Sequence, residues 1–334
     1  MTTPYVIGIG NAIMDVIAPT KDATLATLGI EKGIMQLIDR DRAEALTAAQ
    51  AAENSDSSRF VPGGSVANTL AGIGMLGLHT AFIGRVAADE IGRSYADQTE
   101  AAGTRFVNPP VTDADLPTSR SIIFVTPDGE RSMNTYLGIS AELGQSDVDP
   151  AVFDGAGWLF LEGYLFDKDD GKAAFLKAAD ACHAAGGQAG IALSDPFCVD
   201  RHRADFRKLV AGPMDYVIGN IHEWSSLYQT EDLEEALSRA RADCRMVICT
   251  RSGEDAIVIR GDERVEIPVH RVKPVDATGA GDQFAAGVIY GLAVGAPLAV
   301  AGRMGCIAAT EVIGHVGPRP ERDLLQDFRR EGLI

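Results

Sequence analysis

Basic residues are scarce in this chain: 30 Lys and Arg stand against 47 Asp and Glu, a formal net charge of −17 over 334 residues. A nucleic-acid partner needs a basic face, so this balance argues against one. It also means that an anionic substrate must be captured by local dipoles, metal ions and a few basic side chains rather than by overall attraction. Cysteine is rare too. The five (Cys182, Cys198, Cys244, Cys249, Cys306) are odd in number and show no CxxC spacing. Buried thiols in a reducing cytoplasm fit this usage; a disulfide framework or a thiolate metal site does not. The six histidines (His79, His183, His202, His222, His270, His315) lack HxxxH and HxH spacing, so none is assigned to a metal.

No apolar run is long enough to cross a bilayer, because Gly and charge interrupt each candidate. The opening residues, "MTTPYVIGIGNAIMDV", show no basic leader or cleavage-type segment, so a cytoplasmic protein without a membrane partner is expected. Familiar nucleotide motifs are missing as well: there is no GxxxxGK[ST] and no HRD/DFG set. "GIGNAI" has Ile13 where a dinucleotide fingerprint carries its third glycine, so the close helix–strand packing of that motif is absent and a Rossmann dehydrogenase is rejected.

What is present is an ordinary globular composition, 46% apolar and 23% charged, in a chain long enough for a large core. Val6 to Ile9 reads as a first buried strand, broken by Gly10 so that Asn11 and Asp15 follow in the loop or strand beyond. Residues 29–39 alternate like a short strand, 41–53 are a helix opened by an Asp, and 54–58 are a polar loop. Residues 62–77, "PGGSVANTLAGIGMLG", start as a Gly turn and continue as a helix with Ser65 as its expected cap. Residues 118–137 predict a hairpin around Pro-Asp-Gly. From about 157 onward strands and helices alternate: "GWLFLEG", "GQAGIAL", "MDYVIGN" and "MVICTRS", then a strand pair in 256–269, then helices near 281–294 and 297–312. This rhythm predicts a mainly parallel sheet covered on both faces, and the strands that break it predict a small β lid.

"DATGAGDQFAAG" (276–287) carries the chemistry. Gly279 and Gly281 around Ala280 let backbone N–H groups converge at the start of a helix, whose unpaired donors and partial positive charge suit phosphate oxygens. Asp282 then puts a carboxylate beside that anion site. A first-turn Asp favouring the helix dipole is the plain alternative; the polar approach through Asp276 and Thr278, after a strand, favours a proton acceptor for a hydroxyl that attacks a phosphoryl group.

This segment resembles the C-terminal signature of the ribokinase-like carbohydrate and nucleoside kinase family. "PGGSVANTLAGIGMLGLHTAFIGRVAADEIG" (62–92) resembles its N-terminal signature, with Gly63, Gly64 and Asn68 in place, and the two occur in the right order. The resemblance covers essentially the whole chain, residues 1–334 as a single kinase domain. It implies a three-layer α/β/α sandwich with a lid from about 13–40 and 105–138, and ATP with Mg²⁺ as cofactors. Asn220 and Glu223 in "GNIHE" look like the family's NxxE motif near magnesium, with Glu223 acting through water. Thr250 and Gly253 in "TRSGEDA" look like its nucleotide loop, although Ser252 stands where a glycine is usual.

Within the family, Asn11, Asp15 and Ser65, together with Arg131 in "GERSMN", are most similar to the adenosine kinases. That likeness implies a ribose diol held by Asp15 and the double glycine, and a 5′-hydroxyl as acceptor. Arg131 would clamp phosphates as the lid closes; Tyr136, Leu137, Met35 and Leu37 are candidates for a base slot or for ordinary lid packing. A monovalent cation, K⁺, is implied at Asp276 and Thr278 with backbone from 309–317. A sugar kinase of the same fold, or a binding protein without catalysis, remains the alternative, and monomer and homodimer are both compatible.

Overall fold

The structure, a computed structural model, describes residues 5–54 and 58–334. The polar loop expected at 54–58 therefore lies mostly outside the described residues. The strands are β1 (Tyr5–Ile9), β2 (Ile13–Pro19), β3 (Met35–Leu37), β4 (Arg59–Gly63), β5 (His79–Ile83), β6 (Thr104–Phe106) and β7 (Ser119–Val125). They continue with β8 (Arg131–Tyr136), β9 (Ala156–Glu162), β10 (Gln188–Ala192), β11 (Tyr216–Asn220), β12 (Met246–Arg251), β13 (Glu254–Arg260) and β14 (Glu263–Ile267).

Nine of them form one sheet in the order β14-β13-β12-β11-β10-β9-β1-β5-β6. Its ladders from β6 to β12 are parallel, and β13 and β14 add an antiparallel edge. Side-chain parity explains why both faces are covered. In β1, Ile7 and Ile9 enter a core shared with the helices Asp169–Ala184, Pro196–Ala211 and Leu233–Asp243. Val6 enters the opposite core, made with Ser65–Met75, Ala280–Ala293 and Leu298–Val312. The five cysteines are free, buried thiols.

The other five strands form the lid sheet, β3-β8-β7-β2-β4. The predicted hairpin is its centre, with β7 and β8 antiparallel from Arg120↔Tyr136 to Val125↔Arg131. Leu25, Ala43 and Leu46, from the helices Asp22–Leu28 and Arg40–Asn54, cover its outer face against Ile122, Phe124 and Tyr136. The lid boundaries differ from expectation in two places. β4 pairs antiparallel with β2 and belongs to the lid; Pro62 and Gly63 make it read as a turn, yet an edge strand tolerates a proline. β6 instead extends the large sheet, running parallel to β5.

Candidate active site

Helix Ala280–Ala293 begins at the mouth of a cleft of about 860 Å³ between the lid and the carboxyl ends of the large sheet's strands. Its N-cap, Gly279, has φ 79°, and a Cβ there would lie 2.5 Å from the Pro318 Cα, so only glycine fits. The Ala280 amide turns back to the Ala277 carbonyl at 3.2 Å. Among the described residues, the amides of Gly279, Gly281 and Asp282 donate to no protein acceptor. The expected anion site thus keeps these three donors, and Ala280 serves the turn that presents them.

Asp282 is held by two donors from the facing helix. Ser65 Oγ donates to Oδ1 at 2.6 Å and Asn68 Nδ2 to Oδ2 at 3.0 Å, while Thr69 Oγ1 donates to the Asp282 carbonyl at 3.2 Å. Ser65 is therefore not the helix cap; Gly64 occupies that position, and the Ser65 hydroxyl reaches the catalytic candidate instead. Burial pushes the Asp282 carboxyl up to about 6, against the opposing pull of Ser65, Asn68 and Arg319.

Asp15 stands on the cleft side of β2, buried and without a hydrogen-bond donor on its carboxylate among the described residues. Burial raises its carboxyl to about 7; Arg131 and Arg319 oppose this and Asp282 adds to it. The double glycine leaves space for it. A Cβ on Gly63 would lie 2.6 Å from Asp15 Oδ2, and Gly64, at φ 101°, would put one 2.2 Å from the Asn11 carbonyl. Asn11 lines the cleft and also holds a buried carboxylate. Its main-chain N and Nδ2 donate to Glu162 Oε1 at 2.7 and 2.8 Å, and its Oδ1 accepts from Ser140 Oγ at 2.8 Å. It fixes Glu162, a buried carboxylate raised to about 7 by desolvation, in the floor of the cleft.

On the opposite side, Asn220 and Glu223 cap helix Ile221–Tyr228 reciprocally. The Asn220 main-chain N and Nδ2 donate to Glu223 Oε2 at 2.8 Å and Oε1 at 2.6 Å, and the amides of His222 and Glu223 donate to Asn220 Oδ1. Burial raises Glu223 to about 7. Thr250 lines the cleft beside this pair. Ser252 adopts φ 56°, the left-handed conformation that explains a glycine preference there. Gly253 does not line the cleft; its carbonyl accepts from Arg271 Nε at 2.7 Å.

Arg131 and Asp276 form a buried ion pair, Nη1 to Oδ2 at 2.9 Å, which ties the lid hairpin to the anion loop. Arg131 Nε and Nη2 are buried with no partner among the described residues. Asp276 also accepts from the Gly317 amide at 3.0 Å and from the Thr278 amide at 2.9 Å. Burial works against its charge, but these donors hold its carboxyl below the ordinary range. A carboxylate has about four lone-pair sites. Asp276 meets three protein donors, one of them a cation, which leaves it one open site beside Thr278.

Tyr136 faces away from the cleft. It is buried with Leu25, Ala43 and Leu46 on the outer lid face, whereas Met35, Leu37, Met133 and Leu137 face the cleft. Glu162 and Arg319 carry no motif and were missed. The visible hints were an acid at the end of "WLFLE" and an arginine in the Gly-Pro turn "GPRPE".

With this geometry in view, comparison with known proteins is decisive for the family. Residues 32–323 match the pfkB family of carbohydrate kinases. The chain belongs to that family. A structure of a probable sugar kinase from Rhizobium etli CFN 42 is 42% identical, covers 100% of both chains and superposes with a TM-score of 0.89. One of adenosine kinase from Sinorhizobium meliloti is 41% identical, covers 99% of this chain and 100% of its own, and has a TM-score of 0.87. Fructokinase from Klebsiella pneumoniae is 28% identical over 290 residues, 79% of this chain and 91% of the relative. As a pfkB kinase, the protein has the ribokinase-like α/β fold and is a phosphotransferase acting on an alcohol group of a small molecule with ATP. No helix among the described residues is long and apolar enough to cross a membrane.

Proposed function

We propose that this kinase transfers the γ-phosphoryl group of ATP to the 5′-hydroxyl of adenosine. The observation that carries the acceptor is the pairing of Asp15, an unpartnered carboxylate suited to a vicinal diol, with an apolar lid wall. Met35 and Leu37 are 49% and 58% exposed on that wall, beside Met133 and Leu137. A free sugar presents hydroxyls on every side and gains little from such a wall, whereas a purine buries a flat apolar face there. The likeness to the Sinorhizobium adenosine kinase agrees. A free sugar is the second reading, favoured by the likeness to the Rhizobium probable sugar kinase and to fructokinase.

In the proposed mechanism Asp282 removes the hydroxyl proton as the oxygen attacks the γ-phosphorus in line and the bond from that phosphorus to the leaving ADP oxygen breaks. The amides of Gly279, Gly281 and Asp282 receive the charge growing on the phosphoryl oxygens. The carboxylate and the amides serve different reactants, so two anions at one helix mouth do not collide. Arg131 adds positive charge beside the anion loop through its pair with Asp276. Mg²⁺ supplies charge neutralisation between the phosphates when bound; Glu223, both oxygens of which accept from Asn220, would hold it through water.

ADP formation measured with adenosine, inosine, ribose and fructose tests the acceptor. Adenosine should give the highest kcat/KM, and a preference for either free sugar would overturn the assignment. The carboxylate of Asp276 also bears on the ion dependence. Replacing K⁺ with a large organic cation should lower the rate, because Asp276 keeps an open site beside Thr278 for a monovalent ion. An unchanged rate in that exchange would count against an ion at the loop.

A further inference from the structure

We propose that Arg319 is a positioning residue, which fixes the orientation of Asn68 against Asp282 and sets the charge balance between Asp282 and Asp15. The proposal rests on Asp282 acting as the base, but not on which acceptor is phosphorylated.

Arg319 lies in the turn that follows helix Leu298–Val312, and the surrounding chain is pinned from several sides. The Gly317 amide donates to Asp276, and the Pro318 carbonyl accepts from buried Gln283 Nε2 at 2.9 Å. Buried Glu311 accepts from the amides of Glu321 and Arg322 at 3.2 and 3.1 Å. The guanidinium is thereby directed into the protein. Its Nε donates to Asn68 Oδ1 at 3.3 Å and its Nη2 to the Pro62 carbonyl at 2.6 Å.

A carboxamide has one accepting end and one donating end. With its oxygen held by Arg319, Asn68 must present Nδ2 to Asp282; turned over, it would set oxygen against carboxylate oxygen and amide against guanidinium. Arg319 therefore determines which atom of Asn68 meets the base. The Pro62 bond does the same for the acceptor side, because Pro62 leads directly into Gly63 and Gly64 beside Asp15. Tyr95 Oη donates to the Gly63 carbonyl at 2.8 Å from the next helix and completes that anchor.

Electrostatics points the same way. Asp15 from β2, Asp282 from its helix and Tyr95 all act on Arg319, which is itself lowered by burial. Arg319 in turn lowers both carboxyls, which desolvation raises. Glu162 adds negative charge near Asp282, and Arg131 adds positive charge near Asp15. Arg131 is also tied to Asp276, whereas Arg319 is the guanidinium that acts on both Asp15 and Asp282.

Three variants separate the two roles. Arg319→Lys keeps the charge and loses the planar fork; Arg319→Gln keeps a donor for Asn68 and loses the charge; Arg319→Met loses both. With the acceptor that the wild-type enzyme prefers, Arg319→Met should lower kcat roughly 10- to 100-fold, the scale of one charge-assisted hydrogen bond. It should also move the acid limb of kcat/KM to higher pH. Lys should restore the position of that limb but only part of kcat, and Gln the reverse.

A second readout needs no activity. Carboxyls raised on folding give stability that is complete below about pH 4 and is lost as pH rises through their folded values. Without the Arg319 charge those values rise further. Between pH 5.5 and 8 the ligand-free melting temperature should therefore fall more for Met and Gln than for wild type or Lys. If Met does not fold, the comparison of Gln with Lys carries both readouts. The proposal is overturned if the charge-removing variants keep the wild-type pH limb and the wild-type melting slope. A wild-type enzyme without phosphoryl transfer to any acceptor would defeat the proposed function, while the melting series would still decide whether Arg319 governs the two carboxyls.

Discussion

Asp282→Asn should reduce turnover at least 10²- to 10⁴-fold, the usual range for general-base assistance, and leave adenosine binding close to normal. The substitution is informative because it should not disturb the site's packing. Asp282 accepts from Ser65 and from Asn68. An asparagine at 282 can still accept from Asn68 Nδ2 through its oxygen and donate its own amide to the Ser65 hydroxyl, which is able to reverse its role. The hydrogen-bond count is preserved and only proton acceptance is lost. The pH profile adds a second check. The Asp282 carboxyl, raised to about 6 by burial, must be ionised to act, so wild-type kcat at saturating adenosine, where the diol already holds Asp15 ionised, should fall as pH drops through that region. The residual activity of the Asn variant should lack that limb. Retention of most of the rate, or of an unchanged acid limb, would remove Asp282 from the mechanism.

The contrast between Asp282 and Arg319 shows what kind of information the chain carries locally. The anion loop is contiguous: Asp276, Thr278, Gly279, Gly281 and Asp282 fall within seven positions, and glycine at the helix start is a backbone requirement visible in the sequence itself. The Gly63-Gly64 pair is legible for the same reason. Arg319 and Glu162 are single residues whose roles arise only when the fold brings 319 to 68 and 162 to 11. Nothing in their neighbourhoods encodes those contacts. The large sheet was legible from its alternation of strands and helices, whereas β4 hid behind its proline and glycine. Tyr136 shows a further limit. Neighbouring residues on a strand point to opposite faces, so Tyr136 and Met133 cannot line the same wall, and parity depends on where the hairpin turn sets the register. Here the register pairs Ile123 with Met133, placing Met133 in the cleft and Tyr136 under the lid helices. The NxxE pair has a structural explanation of its own, since Asn220 and Glu223 cap their helix whatever else they do.

Asp15→Asn tests the acceptor side with an effect of similar size but a different kinetic signature. Two hydroxyls bound to one carboxylate are two charge-assisted hydrogen bonds, each worth about 1.5–3 kcal/mol. Losing their charge component should lower kcat/KM for adenosine by about 10²- to 10⁴-fold, mostly through KM, because the diol is bound in the ground state and the transition state alike. A 2′-deoxynucleoside already lacks one of the two bonds, so the variant should penalise it less than it penalises adenosine. Equal penalties would mean that Asp15 does not read the diol. Loss of fold is not the expected cause of either result. Desolvation raises the Asp15 carboxyl to about 7, so its charge destabilises the empty protein as pH rises through that value. A neutral asparagine escapes that cost, and at pH 8 the ligand-free variant should melt no lower than wild type. Weaker substrate binding in a protein of equal or greater stability would then place the unfavourable charge of Asp15 where function requires it, facing a cleft whose hydroxyl-bearing ligand supplies the missing donors.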